Sequence, residues 1–303
     1  MSSEKTASAV NILKGNLAAG WNLLEGSSAD YTDLGIARRF GGAAAAYSLR
    51  DIGAMNGRVV RVRRDTGGGA GDDDEEDFSA NQVASGALED FVGSGNDGFV
   101  SIWYDQTGNG NDATQTTDSK EPKIVSSGTI IKNVKGFPSL QFESSRSTDL
   151  SIGLLISNLN SVSGYVVTQK DDGDTNVLAG FTQGVSSNNS RFYLPFYGSN
   201  GSLPNFGYNN SAAKISFGTT LTGTCNLYSV FSGDTNIEAF KNGSSVGTTA
   251  LVDQDVTATD SKIGQLSNSF YLDGKISEIF LTTQKLQDDA ATINSDVTNY
   301  YNL

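Results

Sequence analysis

Apolar residues in this chain recur at every second position in short runs, and clusters of Gly, Asn, Asp and Ser separate the runs. Arg58–Arg64 alternates through Val60, Arg61, Val62 and Arg63, the pattern of a half-buried strand. Val100–Tyr104 is β-branched and aromatic, then breaks at Asp105 into a polar, glycine-hinged turn that runs to Asp112. The same pattern predicts strands over Pro122–Val125, Gly136–Phe142, Tyr165–Gln169, Asn176–Phe181, Arg191–Tyr197, Tyr228–Ser232 and Asn236–Lys241. Lys241-Asn242-Gly243 reads as a tight hairpin turn. Ser261–Gln265 and Phe270–Leu281 follow as closing strands. Three stretches carry helical spacing instead. Val10, Leu13, Leu17, Trp21 and Leu24 form one face over residues 6–25, weakened by Gly15 and Gly20. Val83, Ala87 and Phe91 mark a helix over Ser79–Phe91. Leu286, Ala290, Ile293 and Val297 mark a terminal one over Leu286–Tyr300.

Composition narrows the class. With 303 residues, 35 Gly and only 4 Pro, the chain suits one large all-β unit rich in turns. Nothing approaches the roughly 18 consecutive apolar residues of a membrane span. Met1–Lys5 lacks the basic-then-apolar layout of a secretory signal. Cys225 is the sole cysteine, so an intrachain disulfide is excluded. The formal charge of −13 would repel nucleic acid. The absence of histidine removes a Ser-His-Asp triad and a conventional zinc site, leaving carboxylates, Tyr, Lys or Ser for any chemistry.

Several groups of residues are candidates for chemistry. The arginines of Arg58–Arg64 could hold an anion, but are expected to pair with nearby carboxylates. The run Asp72–Asp77 reads as a solvated loop of mutually repelling carboxylates. Ca2+ is the cation it could take, although the run lacks the ligand spacing of an EF-hand. Trp103, Asp105 and Asn109 lie in the strand-to-turn stretch, where Asp105, Asn109 and Asp112 could meet a cation or a sugar hydroxyl. They are expected instead to cap the loop's own amides. Residues 192–210 hold six aromatics among Gly, Asn, Ser and two prolines. This composition suits sugar recognition, with Tyr193, Tyr197, Asn205 and Tyr208 as ligand-binding candidates, and equally a strand pair with core aromatics. Glu278 shares a strand face with Ile276 and Phe280, and a buried pairing with an arginine is expected.

The order Asn242-Gly243, Ile263-Gly264, then Tyr271-Leu272-Asp273-Gly274-Lys275-Ile276-Ser277-Glu278 resembles the closing strands of concanavalin A-like lectin/glucanase domains, the laminin-G-like group in particular. Ala46–Arg50, the Arg58–Arg64 strand and Tyr104–Asn111 resemble the start of the catalytic domain of B-type α-L-arabinofuranosidases, a pattern that also recurs in tailed-phage structural proteins. The resemblance implies a concanavalin A-like antiparallel β-sandwich, a jelly roll, over 41–303. It would have a short C-terminal helix. Residues 1–40 fall outside the resemblance, and their helical face reads as a helix packed on its own domain or as an N-terminal arm or helix that docks on a neighbouring subunit.

The enzyme family's nucleophile is a Glu in an acidic, Asn-rich strand, and its acid/base is an Asp after the Ile-Gly strand. Arg191–Asn210 and Gln265–Ser269 contain no carboxylate. The resemblance therefore implies no catalytic residue at those positions, no metal and no required cofactor. It implies a non-enzymatic phage virion protein, a capsid- or tail-decorating subunit or a fibre. Such a protein would be made in the host cytoplasm and carried on the particle surface. Its expected partners are other virion proteins and itself, as a homo-oligomer with a trimer favoured, and a host-surface glycan in some assemblies. A carbohydrate-binding module for such a glycan is the alternative. A glycoside hydrolase with relocated carboxylates is the third reading, with Glu278, Asp273 and Asp105 as its candidates.

Overall fold

A computed structural model describes residues 35–303 apart from 41, 54–56, 69–73, 154, 172–177, 185–191, 198–204, 209–212, 219–221, 252–254, 257–259 and 268–269. The helix expected over 6–25, and with it nearly all of the docking arm, lies outside the described residues. A single helical turn, α1, spans Ile36–Arg39.

Among the described residues, twenty-one strands follow in chain order. The first half contributes β1 Ala43–Ser48, β2 Val60–Asp65, β3 Glu75–Phe78, β4 Asp97–Trp103, β5 Ala113–Thr114, β6 Lys123–Ser126, β7 Thr129–Ile130, β8 Leu140–Phe142 and β9 Leu150–Ile152. Next come β10 Ser163–Lys170, β11 Leu178–Gln183, β12 Phe192–Tyr197, β13 Asn205–Tyr208, β14 Ala213–Ser216, β15 Cys225–Ser232 and β16 Asn236–Lys241. The chain closes with β17 Ser244–Ala250, β18 Ser261–Ile263, β19 Gln265–Ser267, β20 Phe270–Tyr271 and β21 Gly274–Thr282.

The pairings are antiparallel and resolve into two layers. One runs β17-β16-β15-β10-β21-β1, and the other β3-β2-β4-β5-β9-β18-β11-β12-β13-β14. Strand β8 pairs with both β21 and β6 and joins the layers at one side. The alternate residues expected to face inward do so. Val60, Val62, Val100, Trp103, Phe181, Leu194, Ile263, Val166, Val230, Ile276 and Ile279 form one buried cluster between the layers. Each such side chain contributes roughly 1.5–3 kcal/mol on burial. The chain is thus an all-β antiparallel sandwich with a short helix at its C-terminal end.

A second cluster covers the outer face of the first layer. There the helix Ala290–Tyr301 places Ile293, Val297 and Tyr301 with Tyr165, Leu227, Phe231 and Phe280. The terminal helix expected from Leu286 begins instead as a 3-10 turn over Gln287–Asp289. The helix expected over Ser79–Phe91 is two helices, α2 Ala80–Ser85 and α3 Ala87–Val92. Gly86, at φ 89°, breaks them in a left-handed conformation that a β-carbon disfavours. The Asn242-Gly243 turn is formed as expected, with both residues at positive φ, as a two-residue hairpin demands.

The acidic run departs from its expected form. Asp72 and Asp73 lie outside the described residues, but Glu75–Phe78 is a strand rather than a solvated loop. The ladder sets Asp77 opposite Arg61 and Glu75 opposite Arg63, and the arginine strand forms ion pairs with the run at Asp77 and Asp74.

Candidate functional site

The turn after β4 is consumed by its own structure. Asp105 Oδ1 accepts from the amides of Ala46 and Thr107 at 3.0 Å each, and Oδ2 accepts from the Thr107 hydroxyl at 2.6 Å and the Asn111 amide at 3.2 Å. Asp112 Oδ1 accepts from the Asp105 amide at 2.9 Å, and Asn109 Nδ2 donates to the Ala43 carbonyl at 2.7 Å. Trp103 is fully buried, its ring 5.7 Å from that of Tyr47. No surface of Trp103 is left for a ligand, and the Asp105 oxygens already hold four donors. Of the remaining ligand-binding candidates, Tyr193 is buried on β12, lying over Gly207. A β-carbon at Gly207 would sit 2.3 Å from the Tyr193 hydroxyl oxygen, so glycine makes room for the ring. Tyr197, Asn205 and Tyr208 belong to strands β12 and β13, but their side chains lie outside the described residues.

Glu278 is held as expected. Arg50 Nε and Nη2 donate to its two oxygens at 2.7 and 2.8 Å, and Ser48, Tyr165 and Tyr301 add three hydroxyl donors at 2.8, 2.7 and 3.0 Å. Burial alone would raise its pKa. The Arg50 charge and these hydrogen bonds outweigh burial and hold the carboxyl below the usual range. Asp273 accepts from the Ser144 amide. None of the three carboxylates singled out for a relocated hydrolase lines the cleft bordered by Glu75, Ser101 and Glu121.

That cleft lies elsewhere, on the outer face of the second layer. Strand register builds it. Paired residues of adjacent strands share a face, and one row runs Asp77, Arg61, Ile102, Thr114, Ser151, Lys262, Thr182, Tyr193, Gly207. A second runs Glu75, Arg63, Phe99, Lys123. Between them β4 bulges. Its pairing with β2 slips between Ile102 and Val100, so Val100 and Trp103 both face the core while Ser101 and Ile102 both face out.

The cleft encloses about 330 Å³ between Glu75, Ser101, Ile102, Thr114, Gln115, Thr116, Asp118 and Glu121. The segment from Gln115 to Pro122 is tied to β4 through Gln115 N to Ser101 O at 2.9 Å and Val100 N to Pro122 O at 2.8 Å. A 3-10 turn over Asp118–Lys120 then delivers Glu121.

Glu121 is 2% exposed, and Arg63 Nε donates to its Oε2 at 2.8 Å. Burial pushes its pKa up to about 7 against the pull of Arg63, with the charges of Asp118 and Glu75 adding to the rise. The Ser101 hydroxyl is buried and has no hydrogen-bond partner among the described residues. Gln115 Nε2 donates to the Asp149 carbonyl at 3.0 Å, and Asp149 is bridged to Lys262 at 2.6 Å. Phe99 lies under the cations of Arg63, Lys123 and Arg146, 4.5–5.4 Å from its ring. Among the described residues, no group of three His, Cys, Asp or Glu side chains is arranged to hold a metal ion. No helix among them is long and apolar enough to cross a membrane.

Sequence reasoning missed Glu75, Ser101, Asp118 and Glu121 as a group. They are far apart in the chain, and only the register and the bulge bring them together.

No family model matches the chain, and no curated protein matches it. Solved structures do share its fold. An arabinofuranosidase complexed with arabinofuranosyl-α-1,2-xylobiose superposes with a TM-score of 0.59 at 15% identity, over 84% of this chain and 62% of that one. A mutant GH54 α-L-arabinofuranosidase soaked with 4-nitrophenyl α-L-arabinofuranoside gives a TM-score of 0.56 at 14% identity, with the same coverage. This chain therefore spans less than two thirds of the length of those proteins, and the likeness is one of fold.

These neighbours are glycoside hydrolases, and no comparison connects the chain with a virion. The expectation of a non-enzymatic virion subunit, whether decorating protein or fibre, is corrected on that finding. It rested on the recurrence of the Tyr104–Asn111 pattern in tailed-phage proteins, on the acidic, cysteine-poor composition and on the absence of carboxylates at two stretches of sequence. The sandwich presents carboxyls at a third place, so that absence does not exclude chemistry.

Proposed function

We propose that the chain is a glycoside hydrolase whose reaction centre is the Glu75–Asp118–Glu121 cleft. Hydrolysis of a glycosidic bond needs one carboxyl that is protonated near neutral pH and a second that is ionised. Glu121 meets the first requirement. Burial favours its neutral form, Arg63 donates to Oε2, and the protonated carboxyl gives its proton to the leaving oxygen. Asp118 or Glu75, both solvent-exposed and lining the same cleft, supplies the second carboxylate, as nucleophile or as base for a water. The observation that carries this reading is a buried carboxyl with a raised pKa that shares a cleft with two solvent-exposed carboxylates. Structural likeness to arabinofuranosidases lends it support and makes arabinofuranosides the first substrates to try.

The test is release of nitrophenol from a panel of aryl glycosides, arabinofuranosides included, and of reducing ends from plant and bacterial polysaccharides. Glu121→Gln should lower turnover by about 10²–10⁴-fold, the usual contribution of a positioned acid, with a thermal midpoint at neutral pH no lower than that of the native chain. An inactive folded protein across the panel, or activity indifferent to Glu121→Gln, ends the proposal.

A further inference from the structure

Given that reading of the cleft as a glycan site, we infer that its ligand bears a protonated amine. The chemical class is an amino sugar with a free ammonium, as in a glucosamine oligomer, rather than a neutral or acidic sugar. Glu75 and Asp118 line the cleft with neither an ion pair nor a hydrogen bond to their side chains among the described residues. Four nearby cations are already engaged, Arg61 with Asp77, Arg63 with Glu121, Lys123 with Asp97 and Lys262 with Asp149, while Lys120, in the same turn as Asp118, is exposed to water. A neutral sugar seated here would strip water from two carboxylates without returning a counter-charge. A uronate would add repulsion. An ammonium would pair with the carboxylates as it displaces their water.

An observation independent of the acidic groups also points to a polar ligand. The bulge in β4 turns Ser101 into the cleft at 7% exposure, with its hydroxyl lacking any partner. A buried hydroxyl left unsatisfied costs stability unless something occupied arrives to bond it. The hydroxyl and the two carboxylates therefore describe one site. The carboxylates supply charge recognition, and Ser101 supplies a directional hydrogen bond to a ring or hydroxyl oxygen.

Calorimetric titration of the full chain carrying Glu121→Gln, which binds without turnover, tests this with three tetramers: glucosamine, N-acetylglucosamine and galacturonate. The glucosamine tetramer should bind at least about tenfold more tightly than its acetylated form, equivalent to one tenfold step in Kd. The galacturonate tetramer should be weakest. The preference should shrink with added salt and vanish in Glu75→Gln with Asp118→Asn, while Ser101→Ala should weaken both glucosamine-series tetramers. Equal binding of the acetylated form, preference for the uronate, no binding of any tetramer, or indifference to the double substitution overturns the inference. Its failure is separable from failure of the hydrolase reading. Cleavage of neutral glycosides without amine preference refutes only the inference, and tight binding of the amino tetramer that the unsubstituted chain never cleaves refutes only the hydrolase.

Discussion

Two glutamates in this sandwich are each buried and paired with an arginine, and they come to opposite ends. Glu278, under the C-terminal helix on the first layer, accepts two bonds from Arg50 and three from Ser48, Tyr165 and Tyr301. Glu121, on the outer face of the second layer, accepts one from Arg63 and faces two further carboxylates across a cleft. Burial raises the pKa of both. The Arg50 charge and five donated bonds reverse the rise at Glu278. At Glu121 the Arg63 bond and charge do not, against burial and the charges of Asp118 and Glu75, and the pKa reaches about 7. A buried carboxylate beside an arginine is therefore not one kind of object. Its donors and neighbouring charges together decide whether it fastens the fold or stays available for proton transfer.

The comparison breaks most sharply at Glu278. Glu278→Ala should destabilise the fold by about 3–5 kcal/mol, because it leaves a guanidinium and three buried hydroxyls without their acceptor. Arg50 softens the loss only in part. Its guanidinium also stacks 3.9 Å from the Tyr300 ring, and its side chain is 23% exposed and able to reach water. Urea unfolding followed by tryptophan fluorescence measures the difference. A midpoint shift no greater than that of Glu121→Ala would mean that the surrounding donors and charges are not what separates the two sites.

pH separates them next. Glu278 has a lowered folded pKa, so its contribution is present above the unfolded value near 4.3 and is lost as pH falls through the folded pKa. Glu121 has a raised one. Its contribution is complete below the unfolded value and is lost as pH climbs from about 4.3 to about 7. Unfolding midpoints measured across this range should fall at the acid end in the native chain. Glu121→Gln, which cannot ionise, should gain on the native chain by up to about 3 kcal/mol as pH rises to neutrality. Glycosidase activity should decline above about pH 7 as the acid deprotonates. A flat difference between Glu121→Gln and the native chain would place the Glu121 carboxylate with Glu278, as a fastener.

The two regions also differ in how far they could be read in advance. Alternation in Arg58–Arg64 and Val100–Tyr104, and the Asn242-Gly243 turn, are local signals, and the strands form where they indicate. The burial of Glu278 followed from its place between Ile276 and Phe280, and an arginine partner followed from the cost of burying a charge. The cleft had no such local signal. Ser101 reads as an inward or outward residue only once the one-residue slip against β2 is known. Glu121 reads as one charge in a polar stretch until the tie from Val100 to Pro122 turns it toward Arg63. The acidic run misled for a related reason. Six like charges repel in isolation, but Arg61 and Arg63 meet them across the ladder. Periodicity reports which face a residue prefers, whereas the partner across the sheet depends on register over long sequence separations.

The smallest effect is also the most discriminating, because it uses the same substitution twice. Ser48→Ala removes a hydroxyl that donates to Glu278 Oε2 at 2.8 Å and accepts from the Arg50 amide at 3.1 Å. It should cost about 1.5–3 kcal/mol, the range for a bond to a charged group. Ser101→Ala removes a hydroxyl just as buried but with no partner, so it should be neutral or stabilise by a few tenths of a kcal/mol. Thermal midpoints of the two variants, measured side by side, decide the matter. If Ser101→Ala is as damaging as Ser48→Ala, then Ser101 has a structural partner after all. The cleft would then lose a buried polar group that stands ready without serving the fold. If the midpoints diverge as expected, the unsatisfied hydroxyl is a standing cost that only a bound ligand relieves, and the asymmetry between the two glutamates extends to the serines beside them.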